Sequence, residues 1–408
     1  MKYLARQPIL GRNREVFAYE VLFRDGIENS CQSANLEFAS NSTLDTSFLI
    51  GIEKITEGRR MFVNCPRAFL LQGYVSLFAK EKVVAEILES IEPDEEVIHA
   101  CLLLKQEGYL LALDDFVDTP EWGPLVELAD FIKVDFRSTG RRQQQSLAAK
   151  YTAKGIAMLA EKVETPEEFS SGLDMGYSLF QGYFFCRPEM MQHHDLPASK
   201  LAYLELLQAA TSPRFDMQIL ASKIKQEASL TFRLLRYLNS VVFGLRSEVR
   251  SIPHALSMLG ERELRKWIAV VSVGVLAEDK PAELMIVPLV RGRFCEMLAP
   301  LAGLQAESND LFLLGLLSVM DAILNQPLKL ILAELPVRNE ISEALLMHTG
   351  IYRDFLEITV AHERADWETI AKLGKRLGIP EGQIPPLYVS AVDWAATLRL
   401  GLSEPVQR

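Results

Sequence analysis

Along the first 188 residues, short apolar runs alternate with longer stretches in which apolar and charged residues mix. The runs are Phe17–Arg24, Met61–Asn64, Val83–Ile87, Leu110–Asp115, Phe131–Asp135, Ile156–Glu161 and Ser178–Phe185. Each has the length and apolar content of a strand, and the stretches between them are long enough for a helix. Strand and helix in repeated alternation predict a parallel α/β sheet or barrel. The pattern changes near His193–Ala198. Beyond it Lys200–Ala210, Leu230–Asn239, Glu261–Leu276 and Leu311–Leu324 carry apolar residues at helical spacing with charges on the other face, which predicts an all-α domain. The chain is thus read as two domains, 1–195 and 196–408.

Composition narrows the setting. A chain of 408 residues exceeds one ordinary core. Its 43 Lys and Arg against 54 Asp and Glu leave a net charge of −11, a poor balance for binding a nucleic-acid polymer. The longest apolar run near the middle, Trp267–Ala277, contains Ser272 and Gly274 and falls short of the ~18–20 residues of a membrane span. No membrane association is expected. The opening MKYLARQPIL has neither a sustained apolar core nor a small-residue cleavage site and does not read as a signal peptide. Five scattered cysteines with no CxxC pair fit reduced thiols in a cytoplasm.

The chemistry lies where the strands end. Nearly every apolar run contains or finishes on one ionisable or amide residue: Glu20, Asn64, Glu86, Asp114 with Asp115, Lys133, Glu161 and Gln181. In a (β/α) barrel the C-terminal strand ends converge on one mouth, where catalytic residues sit. Carboxylates gathered there repel one another and need cations. Oxygen-only ligands suit Mg²⁺ or Mn²⁺, and the adjacent Asp114 and Asp115 suit two ions, a common device for phosphodiester hydrolysis. Lys133 would orient the water or offset the developing phosphate charge. Against this stands the bland reading, in which each acid is a solvated loop residue or a helix cap.

At these residues the chain resembles the EAL family of bacterial cyclic di-GMP phosphodiesterases, over about Met1 to Pro188. The resemblance is carried by ArgGlnProIle at Arg6–Ile9 and TyrGluValLeuPheArg at Tyr19–Arg24, with Val21 where the family name has alanine. PheValAsn ending at Asn64, AlaGluIleLeuGlu around Glu86 and Glu89, LeuAspAspPhe at Leu113–Phe116 and IleLysValAsp at Ile132–Asp135 follow in order. AlaGluLysValGluThr at Ala160–Thr165, then GlnGlyTyr with Arg187-Pro188, complete it. The resemblance implies an α/β modified TIM barrel. It further implies Glu20, Asn64, Glu86, Asp114, Asp115 and Glu161 as metal ligands or their close neighbours, and Lys133, with Glu161 and Gln181, as the catalytic group. Gln7 and Arg24 would contact substrate, and Glu164 would steady the loop beyond Phe116. Val117, Asp118, Thr119 and Pro120 stand where the family usually has a Gly-Thr-Gly loop that couples the metal site to dimerisation. Val and Pro cannot adopt the positive φ open to glycine, so a different path is expected there.

The second half resembles the all-α HDOD domain, a helical relative of HD phosphohydrolases, over about Leu196 to Ala395. Phe232–Ser240, Val242–Gly244, Ser251–Leu256 and Met258–Gly260 carry that match. Gly315–Asp321, where a His-Asp dyad would fall, has no histidine, and the chain's six histidines form no such pair, so this half is read as a non-catalytic regulatory or output module with a protein partner. Arg233, Arg236, Arg246, Arg250, Arg262, Arg265 and Lys266 form a local basic stretch, read as a solvated helix face, with an anion or acidic-partner surface as the alternative.

Two functions compete. The preferred one is a Mg²⁺- or Mn²⁺-dependent enzyme opening cyclic di-GMP to the linear dinucleotide pGpG, since every candidate ligand and Lys133 are kept. The other is a degenerate barrel that only senses the nucleotide or acts as a scaffold, favoured by the altered loop. A homodimer fits either. Sugar or aldol chemistry on a generic barrel explains neither the asparagine nor the number of carboxylates.

Overall fold

The structure is a computed structural model and describes residues 2–25, 56–188, 198–212, 220, 224, 230, 234 and 252–402, with side chains for 4–22, 56–188, 200–212, those four single positions and 258–398. The chain forms two compact units, Met1–Arg187 with His362–Glu368, and Pro188–Ala361 with Thr369–Arg408. The boundary read at residues 195 and 196 lies outside the described residues.

In the first unit eight strands close into a barrel in sequence order. They are β1 (Lys2–Gly11), β2 (Val16–Asp25), β3 (Arg60–Cys65), β4 (Val83–Ile87), β5 (Leu110–Leu113), β6 (Phe131–Asp135), β7 (Ala157–Glu161) and β8 (Leu179–Gln181). Seven of them are the predicted runs. β1 is the addition, and it runs antiparallel to both β2 and β8, whereas β2 through β8 pair in parallel. The cause is local. Only residues 12–15 separate β1 from β2, and a connection that short makes a hairpin but cannot carry the crossover that parallel strands need. Arg14 closes that turn with φ +60 and its N–H donating to the Gly11 carbonyl.

Helices follow the strands as alternation predicts. Glu95–Glu107 starts on Asp94, whose side chain accepts from the Val97 N–H, and ends on Gly108 in the left-handed conformation. Pro166–Met175 starts on Thr165, which accepts from the Glu168 N–H, with proline in its first turn. β8 is shorter than its apolar run. Gly182, at φ +140, turns the chain, and Phe184–Cys186 form a 3₁₀ turn instead.

The barrel interior is layered. Ile9, Ala18, Phe62, Val84, Ala112, Phe131, Leu159 and Leu179, one from each strand, form a buried apolar cluster. Side chains alternate faces along a strand, so the residue two positions away faces the same interior. Going toward the C-terminal ends of β2 to β8, those residues are Glu20, Asn64, Glu86, Asp114, Lys133, Glu161 and Gln181. On antiparallel β1 the equivalent position precedes the apolar one and is Gln7. A polar layer therefore caps an apolar one.

The second unit is helical among its described residues. Ala282–Leu298 is buried on nearly all sides and packs against Ser308–Leu317 and Ile384–Leu402. Close approach is set by glycines, since a Cβ at Gly315 would stand 2.4 Å from the Arg291 carbonyl carbon and one at Gly292 2.9 Å from the Phe312 carbonyl oxygen. The predicted helix Leu311–Leu324 is two pieces, Ser308–Leu317 and Met320–Leu324. The basic stretch also differs from its reading. Arg233, Arg236, Arg246 and Arg250 lie outside the described residues. Lys266 is buried and donates to Glu296, Arg265 donates to the carbonyls of Ala210 and Ser212, and Arg262 donates to Asn309. Here Lys266 is interior charge pairing rather than a solvated face. Among the described residues no helix is long and apolar enough to cross a membrane.

Candidate functional site

The polar layer at the barrel mouth centres on Lys133. Its side chain is 1% exposed, and Nζ lies 2.7 Å from Glu86 Oε1, 2.7 Å from Asp114 Oδ1, 2.9 Å from Glu161 Oε1 and 3.4 Å from Glu20 Oε2. An ammonium has three protons to donate, so four carboxylates over-subscribe it. Gln181 joins the group from β8, its Nε2 donating to Gln7 Oε1 and to Glu20 Oε2, each at 2.7 Å. Asn64 stands in register with Glu86 across β3 and β4. Every strand of the barrel thus contributes to one site, including β1 through Gln7.

Electrostatics follow from burial. Glu86 is fully buried, and that burial, with the charges of Glu20 and Asp114, holds its carboxyl well above the usual range against the pull of Lys133. Burial likewise pushes Glu161 up to about 8, opposed by Lys133 and reinforced by Asp114 and Glu20. For Lys133 burial works the other way, yet the four surrounding carboxylates outweigh it and keep the ammonium well above lysine's ordinary value. The cluster is an anionic pocket with one internal cation. The raised carboxyls of Glu86 and Glu161 relieve part of the surplus.

Asp115 takes a different direction from its neighbour. Its φ is +39, and its Oδ2 lies 3.7 Å from Lys162 Nζ, while Lys162, at φ +53, donates to Asp135 Oδ2 at 2.6 Å. Burial first, then the charge of Asp114, raises the Asp115 carboxyl above its ordinary value. Lys162 and Asp135 were not singled out in the sequence as site residues. Nothing in their spacing marks them, because Asp135 lies two residues beyond Lys133 at the strand end and Lys162 follows Glu161 off β7.

Among the described residues no three His, Cys, Asp or Glu side chains are arranged to hold a metal as they stand, because the carboxylates close on Lys133. The donor chemistry nevertheless suits a hard cation. Buried acceptor oxygens without a hydrogen-bond donor are found on Asn64 (Oδ1), Glu86 (both), Asp115 (Oδ1), Glu161 (Oε2) and Gln181 (Oε1). Glu86 Oε1 is in ion-pair range of Lys133 yet off hydrogen-bonding geometry. Unpaired buried acceptors are costly, and these are all oxygens, the ligand type of Mg²⁺ and Mn²⁺.

The remaining sequence candidates are placed as follows. Arg24 lies on β2 opposite Tyr3, with its side chain outside the described residues. Glu164 is half-exposed and pairs with Arg137 at 3.6 Å. The loop after Phe116 has contacts of its own. Phe116 is buried edge-on to Trp122 and Tyr151, and Asp118 accepts from Lys150 and from the Tyr151 hydroxyl at 2.6 Å. Pro120 then opens a 3₁₀ turn that ends at Trp122.

Comparison with known proteins covers both units. The family model described as EAL domain matches residues 70–188, and the one described as HDOD domain matches residues 196–331. An uncharacterized Bacillus subtilis protein, YuxH, is 34% identical over 405 residues, covering 97% of this chain and 98% of that one. CdgJ of Vibrio cholerae, named a cyclic di-GMP phosphodiesterase, is 30% identical over 397 residues, covering 96% of this chain and 92% of that one. Among solved structures, the calcium and cyclic di-GMP complex of Klebsiella pneumoniae BlrP1 is 22% identical with a TM-score of 0.35, covering 46% of this chain and 55% of that one.

Proposed function

Because the chain belongs to the family of proteins that join an EAL domain to an HDOD domain, we propose that it is a divalent-metal-dependent phosphodiesterase opening one phosphodiester of cyclic di-GMP to give pGpG. The observation that carries this reading is the mouth itself, where all eight strands deliver polar side chains to one point and buried oxygens of five residues lack a donor. The name of the Vibrio cholerae relative supplies the substrate. Net charge excludes a polymer, yet a cation in this pocket would make it receptive to a small anionic nucleotide.

Glu20, Asn64, Glu86, Asp114 and Glu161 would hold the cation, Mg²⁺ or Mn²⁺, with Asp115 as their close neighbour. Such a cation acidifies water and offsets charge developing on a phosphate. Lys133 then donates to the attacking water's oxygen or to the phosphoryl oxygen, and its release from some carboxylates accompanies loading. Glu161, whose carboxyl is held near neutrality, is suited to take the proton that the water loses. Gln181 spans Gln7 and Glu20, keeping the amide of Gln7 at the rim where the nucleotide enters. Arg24 would meet a phosphate with a bidentate guanidinium. Glu164, paired with Arg137, would steady the loop beyond Phe116. Residues 196–408 would serve as the regulatory or output module, with the protein acting in the cytoplasm and engaging partners or a second copy through this half.

Purified chain with Mg²⁺ or Mn²⁺ should linearise cyclic di-GMP, and Glu20→Ala or Lys133→Ala should abolish it. Undiminished turnover in both variants would overturn the site. Binding by calorimetry without any turnover would select the sensor reading, which the departure of Val117–Pro120 from the family loop favours.

A further inference from the structure

Two positive-φ residues that are not glycine face each other at the mouth, Asp115 at φ +39 and Lys162 at φ +53. Such backbone is uncommon outside glycine, less tolerated by lysine than by aspartate, and persists where surrounding contacts enforce it. At Lys162 the contacts are specific. Asp135, 8% exposed, accepts from the N–H groups of Arg137 (2.6 Å) and Ser138 (3.2 Å) on one oxygen and from Lys162 Nζ (2.6 Å) on the other. The Arg137 guanidinium in turn donates to the Lys162 carbonyl at 3.2 Å. Lys162 Nζ is therefore tethered between Asp135 and Asp115, the latter at 3.7 Å.

Adjacent aspartates at 114 and 115 suggest a pair of ions, but the structure divides them between two different cations. Asp114 joins Glu20, Glu86 and Glu161 around Lys133, a group of four carboxyls and one ammonium whose formal charge is −3 once every carboxyl is ionised, as metal ligation requires. Asp115 and Asp135 share Lys162, a group of two carboxylates and one ammonium with formal charge −1. A divalent cation leaves the first group at −1 but would drive the second to +1, beside a fixed ammonium. Loading the first is favoured by its surplus charge, and loading the second is opposed.

We infer that Lys162 is a positioning residue that stands in for a second divalent ion, so that this chain takes up one. The inference rests on the metal-dependent reading above and sharpens it. Its test is the count of bound Mn²⁺ on the full-length, metal-stripped chain, by calorimetric titration and by the loss of free-Mn²⁺ electron paramagnetic resonance signal. The expected result is one Mn²⁺ per chain in the wild type and in Lys162→Arg, which keeps the charge. Lys162→Met and Lys162→Gly should take up two, the second bound roughly tenfold or more tighter than any second event in the wild type. Two ions in the wild type, or one in Lys162→Met, would overturn this inference while leaving the phosphodiesterase reading intact. No uptake by any of the four chains would overturn both.

Discussion

Lys133 Nζ and Asp114 Oδ1 lie 2.7 Å apart, at the next step of the register that pairs Leu113 with Ile132. Their meeting is thus dictated by the barrel's shear and not by a flexible loop. Removing the cation leaves buried carboxylates uncompensated, at a cost of about 3–5 kcal/mol for breaking a buried pair from one side. Lys133→Met should therefore lose turnover and also unfold at lower denaturant in the absence of metal. Added Mg²⁺ should restore much of the stability and none of the activity. Denaturant unfolding with and without Mg²⁺ checks this, and an unchanged midpoint without metal would show that the cluster is solvated.

Metal uptake should depend on pH through Glu161. Its carboxyl, pushed by burial up to about 8, must ionise to serve as a ligand. Mn²⁺ affinity should rise from pH 6 toward pH 8 and level off above, with proton release on binding below pH 8. Calorimetry in buffers of different ionisation heat counts those protons. For the cation-free chain the sign is opposite: a carboxyl raised in the folded state contributes stability below its ordinary value, about 4.5, and that stability is lost as pH rises toward 8.

His362 gives acid sensitivity of another origin. The ring is fully buried, edge-on to Trp367 with centroids 5.5 Å apart, and burial pulls its pKa down to about 3. A depressed histidine contributes its stability above the ordinary value of 6.5 and loses it as pH falls toward 3. Unfolding free energy should decline over that window, and His362→Gln should show a shallower slope there. Equal slopes would assign the acid sensitivity to other groups.

Gly182 should not tolerate a side chain. Its φ is +140, and a Cβ there would stand 2.0 Å from the Val163 carbonyl oxygen. Gly182→Ala should cost at least about 2 kcal/mol and displace the neighbouring Gln181 from its bonds to Gln7 and Glu20. A fall in the thermal midpoint together with weaker nucleotide binding is the expected outcome, read by thermal unfolding and titration.

Much of the mouth was legible because period-2 alternation ties each polar end to an apolar residue two positions back. Phe62 announces Asn64, Val84 announces Glu86, and Leu159 announces Glu161. Gln7 escapes that logic. On an antiparallel strand the polar residue comes before the apolar one, so the motif match found it and the pattern did not. The Lys162–Asp135 pair was hidden because Asp135 is the last residue of its strand and Lys162 the first beyond its own, turned toward Asp135 by positive-φ backbone that no periodicity encodes. Lys266 misled for a related reason: a charge on a helix reads as solvent-facing until Glu296 on the next helix is known.

The antiparallel first strand has a consequence for how the barrel is made. Gln7 and Gln181 are 174 residues apart, yet they bond at 2.7 Å across the seam between β1 and β8. During synthesis β1 can pair with β2 as a hairpin early on, but its other edge waits until nearly the whole barrel has been translated. Until then it is an open template for stray pairing. Closure of that seam is a pairing of very high sequence separation, which places it among the slow steps of folding. The amides at the seam would come together at that same step, so a nascent or truncated chain ending before β8 would carry all of the mouth's carboxylates but no finished pocket.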